Sequence, residues 1–199
     1  MFLDESNFEV NYCNLNMWVK RKEPKILHRP KFTKNEKCMI AGDISYFGKT
    51  ELKVWKITNL DYKNDVRVTS AIYKEFLEDI NFEITNYSPL PQLPVTIQMD
   101  SAKPHLKHAK TYLLEDENCV LTPLYQPTAS PDLQPIELVW GILKKRVYSR
   151  NYVNFEQLIE IIQDEWRNLS IRDIRRCIDH TQKRAKSVLE ANGGWPWKK

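Results

Sequence analysis

The stretch Gln126-Pro-Thr-Ala-Ser-Pro-Asp-Leu-Gln-Pro-Ile-Glu-Leu-Val-Trp140 changes character halfway along. Its first part carries Pro127, Pro131 and Pro135. Each fixes φ and lacks an N–H, so the run is stiff and non-helical. Pro135 suits the first turn of a helix, where the missing donor is not needed. Beyond it Ile136, Trp140, Leu143 and Val147 recur at helical spacing and predict a buried stripe. Glu137 therefore stands just inside a helix whose start is pinned. Lys144, about two turns further on, falls on roughly the same side. The helix macrodipole alone would favour an acid at that start. Glu137 gains chemical meaning only from acids elsewhere.

Upstream, Val95 to Asp100 is the clearest strand, with Val95, Ile97 and Met99 on one side and Thr96, Gln98 and Asp100 on the other. Pro104 suits the start of a following helix that buries Leu106, Ala109 and Leu113, and Cys119 to Leu124 reads as another strand. Tyr87 to Pro94 is proline-rich and predicts a loop. Before it, Ile72, Tyr73, Phe76, Leu77 and Ile80 form a helical stripe in a segment starting near Asn64 or Asp65. Cys38 to Ile57 predicts a β-hairpin in which Gly48-Lys49 forms a type II′ turn. Lys20 to Lys37 loses all period and reads as a basic exposed loop, and Phe8 to Val19 is mildly β-prone. Residues Met1 to Asp4 read as the end of a strand, with Phe2 and Asp4 on one face and Met1 and Leu3 on the other.

Downstream, Asn154 with Gln157 resembles a capping box ahead of Phe155, Leu158, Ile159, Ile162 and Trp166. Ser170 with Asp173 repeats the signal ahead of Ile171, Ile174, Ile178, Ala185 and Leu189, and Asn192-Gly193-Gly194 predicts the helix end. Strands first, helices between and after them: one α/β domain with a mixed sheet. It is placed at 1–192, with a tail at 193–199.

Composition agrees with a single soluble domain. The chain has 199 residues, 42% of them apolar and 28% charged, and a net charge of +4. The basic residues cluster between Lys20 and Lys37 and again at Lys144, Lys145, Arg146 and Arg150. Cys13, Cys38, Cys119 and Cys177 are far apart, which points to free thiols in a reducing compartment and away from a zinc site. No apolar run reaches membrane-spanning length and the start is not a signal peptide, so a soluble, intracellular protein is expected.

Asp4 and Asp100 would each end a strand, and Glu137 would begin a helix. Three such acids can meet at one edge of a sheet. Crowded carboxylates repel unless a cation neutralises them. Mg²⁺ takes oxygen ligands and keeps open positions for water or phosphate. A pair of such ions stabilises both oxygens of a phosphodiester displacement. Spacing alone leaves this open, since the chain has 26 acids and most must be solvated.

Four blocks of sequence carry a family resemblance. Asp4-Glu5-Ser6-Asn7-Phe8 looks like the opening Asp motif of the Tc/mariner transposases, and Asp43-Ile44-Ser45-Tyr46-Phe47-Gly48-Lys49 is similar to their Ile-Ser-x-x-Gly-Lys hairpin. Gln98-Met99-Asp100-Ser101-Ala102-Lys103-Pro104-His105 resembles the second Asp block. Ser130 to Trp140 resembles the third-acid block in its glutamate form. The order is right, and the blocks cover almost the whole chain. The resemblance implies a ribonuclease H-like mixed β-sheet flanked by α-helices, with Asp4, Asp100 and Glu137 as catalytic residues binding two Mg²⁺ or Mn²⁺ ions. It further implies hydrolysis at a transposon end, joining of the 3′-hydroxyl to target DNA at TA dinucleotides, a homodimer when full length, and a nuclear location. The segment Trp18 to Pro24 looks like a loop used for subunit and DNA contacts. Lys20, Arg21, Lys22, Lys144, Lys145 and Arg146 are the candidate phosphate contacts.

Departures exist. Ser101 stands where the family usually has Asn, and Ala41-Gly42-Asp43 replaces a Trp-Gly pair, putting an extra acid into a strand. Met1 lies close before Asp4, which suggests a shortened first strand holding Asp4 loosely and missing helix-turn-helix domains. From this comes an alternative expectation, a truncated or co-opted relic that binds DNA or subunits without cutting. A nuclease acting on RNA–DNA hybrids is weaker, because the third block is transposase-like. Of the remaining features, His105 reads as a local hydrogen-bonding residue, Asp132 as a turn residue and the cations from Arg172 to Lys186 as a solvated helix face. Trp18, Trp55, Trp140 and Trp166 read as core, whereas Trp195 and Trp197 have no clear place.

Overall fold

In a computed structural model, residues 1–11, 36–57, 70–87, 94–100, 111–126 and 130–194 are described. The sheet grows from β2 (Lys37–Ile44), a strand whose apolar run Cys38 to Ala41 is buried throughout. Such continuous burial requires cover on both faces. Beside β2 lie β1 (Phe2–Glu9) and β3 (Lys53–Ile57), both antiparallel to it. On its other edge β1 pairs in parallel with β4 (Val95–Met99), which pairs in parallel with β5 (Leu121–Tyr125). The order is β3-β2-β1-β4-β5, so β1 is the central strand.

Strand alternation divides the core in two. Leu3, Ala41, Ile97 and Met99 point to α1 (Ser70–Tyr87), meeting Tyr73, Phe76, Leu77 and Ile80. Phe8, Cys38, Ile40 and Ile44 point the other way. There they meet α2 (Pro135–Val147), α3 (Phe155–Arg167) and α4 (Ile171–Glu190). The predicted stripe of α2 is the centre of this layer, with Ile136, Leu143 and Val147 wholly buried. This is the ribonuclease H-like mixed sheet flanked by helices expected from the sequence.

Both predicted caps form. Asn154 Oδ1 accepts from Gln157 N–H at 2.8 Å, and Ser170 Oγ accepts from Asp173 N–H at 3.1 Å. The return arm of the first box goes to Val153 N–H, from Gln157 Oε1 at 3.0 Å. Asn192 and Gly193 take positive φ after α4, as the left-handed ending requires. Ile171 and Leu189, placed on the apolar stripe of α4, are instead exposed, because the buried face of the helix runs through Ile174, Cys177, Ile178 and Thr181. No helix among the described residues is long and apolar enough to cross a membrane.

Two expectations are corrected. The first strand does not end at Asp4: β1 has 8 residues, pairs with β2 from Phe2 to Glu9, and carries Asp4 within it. Polar Glu5, Ser6 and Asn7 hid it from periodicity, and pairing with a buried neighbour overrode weak local propensity. The hairpin turn is also different. Gly48 has no positive φ, so no type II′ turn forms there. Ser45 N–H donates to Gly48 O at 2.7 Å, while Ser45 Oγ accepts from Phe47 N–H at 3.2 Å and Gly48 N–H at 3.1 Å. A side-chain hydroxyl thus organises a wider turn. The basic loop from Lys20, the Trp18 to Pro24 segment, Ser101, Pro104, His105 and the two tail tryptophans lie outside the described residues.

Candidate active site

Asp4 occupies the central strand on the α2 side of the sheet. Its carboxylate accepts from Trp140 Nε1–H at 3.1 Å and from the backbone N–H of Glu5. Burial pushes the Asp4 carboxyl up to about 8, with the negative charges of Glu5 and Glu137 adding to the push. Glu137 is itself exposed in the first turn of α2, so a half-buried and a solvated acid stand within electrostatic reach across one strand–helix contact. Pro135 at the helix start fixes where Glu137 emerges.

Asp100 follows the last residue of β4 and is half-buried. Phe2 is level with Gln98 in the parallel β1–β4 pair. Asp4 lies two residues further along β1, and Asp100 two residues beyond Gln98, just past the end of β4. Strand alternation gives both the same face, that of α2. Backbone pairing and side-chain amides therefore bring β1, β4 and the start of the Glu137 helix together. As the side chains stand, no three His, Cys, Asp or Glu groups among the described residues form a metal-holding cluster.

Three glutamines that sequence reasoning passed over tie this junction together. Gln134 Nε2 donates to Leu3 O at 2.9 Å, next to Asp4. Gln98 Nε2 lies 3.1 Å from Gln134 Oε1, from Leu133 O and from Gln126 Oε1. Gln134 is 3% exposed and sits at the N-terminal cap of α2. Gln98 and Gln134 lie two and three residues before the proposed acids, inside the quoted blocks, but nothing in that spacing marks them as bonded to each other.

The candidate phosphate contacts divide. Lys144 Nζ sits 5.7 Å from the centre of the Phe8 ring, Arg146 pairs with Asp173 at 2.8 Å, and Lys145 is exposed. Lys20, Arg21 and Lys22 lie outside the described residues. Asp132 sits in a short 3-10 turn (Pro131–Leu133) leading into α2, as its turn reading required.

A carboxylate set of this kind fits a hard divalent cation. Oxygen donors suit Mg²⁺, and positive charge would offset the upward push on the half-buried Asp4 carboxyl.

Comparison with known proteins follows this geometry. A family model described as DDE superfamily endonuclease matches residues 1–159. The Tc3 transposase of Caenorhabditis elegans is 26% identical, over 97% of this chain and 56% of its own length. The Tc1 transposase of the same organism is 25% identical, over 96% of this chain and 67% of its own length. This chain thus spans little more than half of Tc3. Among solved structures, a Mos1 mariner paired end complex with Mn superposes with a TM-score of 0.75 at 19% identity, covering 98% of this chain and 55% of that one. A Mos1 paired end complex with Mg gives 0.76 at 18% identity, over 98% and 55%. The catalytic domain of Mos1 mariner transposase gives 0.68 at 17% identity, over 98% and 83%.

Proposed function

The chain belongs to the DDE superfamily endonuclease family, as a transposase catalytic domain related to the Tc1 and mariner enzymes, and from that premise we propose that it cuts and joins DNA through Asp4, Asp100 and Glu137. The observation that carries this reading is the junction of β1, β4 and α2, where one register and one pinned helix start bring the three acid-bearing segments together. A relic that does not cut is not favoured; it drew on a first strand too short to hold Asp4, and β1 pairs with β2 from Phe2 to Glu9.

Asp4, Asp100 and Glu137 would hold two divalent ions, Mg²⁺ or Mn²⁺. When bound, such ions supply charge neutralisation for the attacking and leaving oxygens of the phosphodiester. The protein does the rest by position. Water attacks the scissile phosphate at a transposon end and the leaving strand departs with a free 3′-hydroxyl. That hydroxyl then attacks a phosphate of target DNA, exchanging one phosphodiester for another, so no covalent enzyme intermediate is needed. Lys20, Arg21, Lys22, Lys144, Lys145 and Arg146 serve as phosphate contacts that add affinity without reading sequence. A homodimer of the longer protein, working in the nucleus, completes the reading.

The test is metal-dependent nicking of DNA carrying transposon-end sequence, with Asp100→Ala as control. Wild type is expected to nick and the variant to lose at least about a hundredfold, the scale of a lost transition-state contact. Equal nicking by both proteins would remove Asp100 from the site.

A further inference from the structure

We infer that Trp140, seated against Gly42 and backed by Trp166, is a positioning residue for the carboxylate of Asp4. The inference rests on the reading of Asp4 as a catalytic acid.

Gly42 is the antiparallel strand partner of Asp4. Paired residues share a face, so Gly42 lies on the α2 side beside the acid. A Cβ there would meet Trp166 Cζ2 at 3.1 Å, Leu52 Cδ1 at 3.2 Å and Trp140 Cη2 at 3.2 Å. Two indole rings therefore press into the space that a side chain next to Asp4 would fill. The rings also hold each other, stacked with centroids 5.3 Å apart and an interplanar angle of 30°. Trp166 Nε1–H donates to Thr50 O at 2.9 Å, which anchors the second ring to the β2–β3 turn. Trp140 is left little freedom, being 2% exposed and enclosed on these sides.

An indole has one polar hydrogen, and when buried it finds a partner. Here that partner is Asp4 Oδ2, at 3.1 Å. The bond holds one carboxylate oxygen on the helix side and fixes the rotation of the group. Outer hydrogen bonds of this kind orient ligating carboxylates, and their loss typically lowers metal affinity by about 10- to 100-fold. The departure from the family's Trp-Gly pair keeps its glycine, and the close approach of the rings is the physical reason a glycine is needed there.

The experiment combines three variants and two readouts. Trp140→Phe keeps an aromatic ring, smaller by the pyrrole part, and removes the N–H. Gly42→Ala keeps the N–H and pushes the rings. Asp4→Ala removes the acceptor. In ¹H–¹⁵N spectra, Asp4→Ala is expected to shift the Trp140 indole resonance and speed its hydrogen exchange, while the Trp166 resonance stays in place. Titration with Mn²⁺ is expected to show about tenfold weaker binding in folded Trp140→Phe, with nicking restored at excess metal, while the cavity left by the smaller ring lowers the melting temperature. Gly42→Ala is expected to weaken Mn²⁺ binding in the same direction. Wild-type Mn²⁺ affinity in folded Trp140→Phe would overturn the inference. Should wild type itself bind no Mn²⁺, the proposed function fails, and the spectra decide separately: a Trp140 resonance unmoved by Asp4→Ala overturns the positioning role.

Discussion

Phe2 lies level with Gln98 across the parallel pairing of β1 and β4. Asp4 stands two residues beyond this pair within β1, and Asp100 two residues beyond it, just after the end of β4. Glu137 reaches the same junction from a helix whose N-terminal cap, Gln134, is bonded to Leu3 on β1 and to Gln98 on β4. Position along three distant segments is thereby set by backbone pairing and side-chain amides, before any cation binds.

That arrangement makes Gln134 a sensitive point. Gln134→Leu keeps the volume but takes the Nε2 donor from Leu3 O and one of three acceptors from Gln98 Nε2. A cost of about 1–3 kcal/mol in stability is expected, as for any buried polar group left unsatisfied. Nicking should fall further than the folded fraction does, because the start of α2 loses its tie to β1. Urea melts and nicking measured on the same preparation separate the effects. Activity that tracks the folded fraction alone would count against the amide cluster as a positioning device.

Asp43 predicts a pH dependence. It is wholly buried on β2, one oxygen accepts from the Thr50 hydroxyl, and Oδ1 has no partner. Burial pushes its carboxyl up to about 7, and the Thr50 bond offsets only part of this. Between about pH 4 and pH 7 the folded protein holds a proton that the unfolded chain has released. Stability from this group is full at the acid end of the window, falls as pH rises through it, and stays low above it. The slope is at most about 1.4 kcal/mol per pH unit. Asp43→Asn, neutral throughout, is expected to flatten the curve and to be more stable than wild type at about pH 8. Urea melts at about pH 5 and about pH 8 check the sign; parallel curves for the two proteins would contradict it.

Lys49, the last residue of the hairpin motif, has a structural part. Its Nζ donates to Leu169 O at 3.0 Å and Arg167 O at 3.3 Å, carbonyls at the C-terminal end of α3. A cation there satisfies carbonyls that the helix leaves open and complements its dipole. Arg175 adds to the same docking, donating from Nε to Tyr46 O at 2.9 Å. Lys49→Met is expected to cost about 1–2 kcal/mol, with the loss spread over hairpin and helix junction. Hydrogen exchange at the end of α3 should rise more than exchange in β4. An unchanged melt would show the contact to be incidental.

How much of this was legible beforehand follows from the kind of signal each element carried. The stripe of α2, the alternation of β4 and the caps Asn154 and Ser170 depend on local spacing, and spacing is what a sequence displays. The length of β1 was not legible, because Glu5, Ser6 and Asn7 carry no apolar alternation and take their conformation from pairing with β2. The turn at Ser45 was missed for a related reason: a glycine suggested a backbone device where a hydroxyl performs the task. Of the site, the acids were visible in their blocks. The glutamine ties were not, since a hydrogen bond between residues 131 positions apart leaves no local pattern.

The central claim is that Asp4, Asp100 and Glu137 act together on divalent cations. Its most direct measurement is Mn²⁺ binding by electron paramagnetic resonance in wild type and in Asp4→Asn, Asp100→Asn and Glu137→Gln, each confirmed folded by its melt. The account predicts saturable binding in wild type and at least about tenfold weaker binding in every one of the single variants. Wild-type affinity in any folded variant would exclude that residue from the set, and unchanged affinity in all of them would contradict the assignment as a whole.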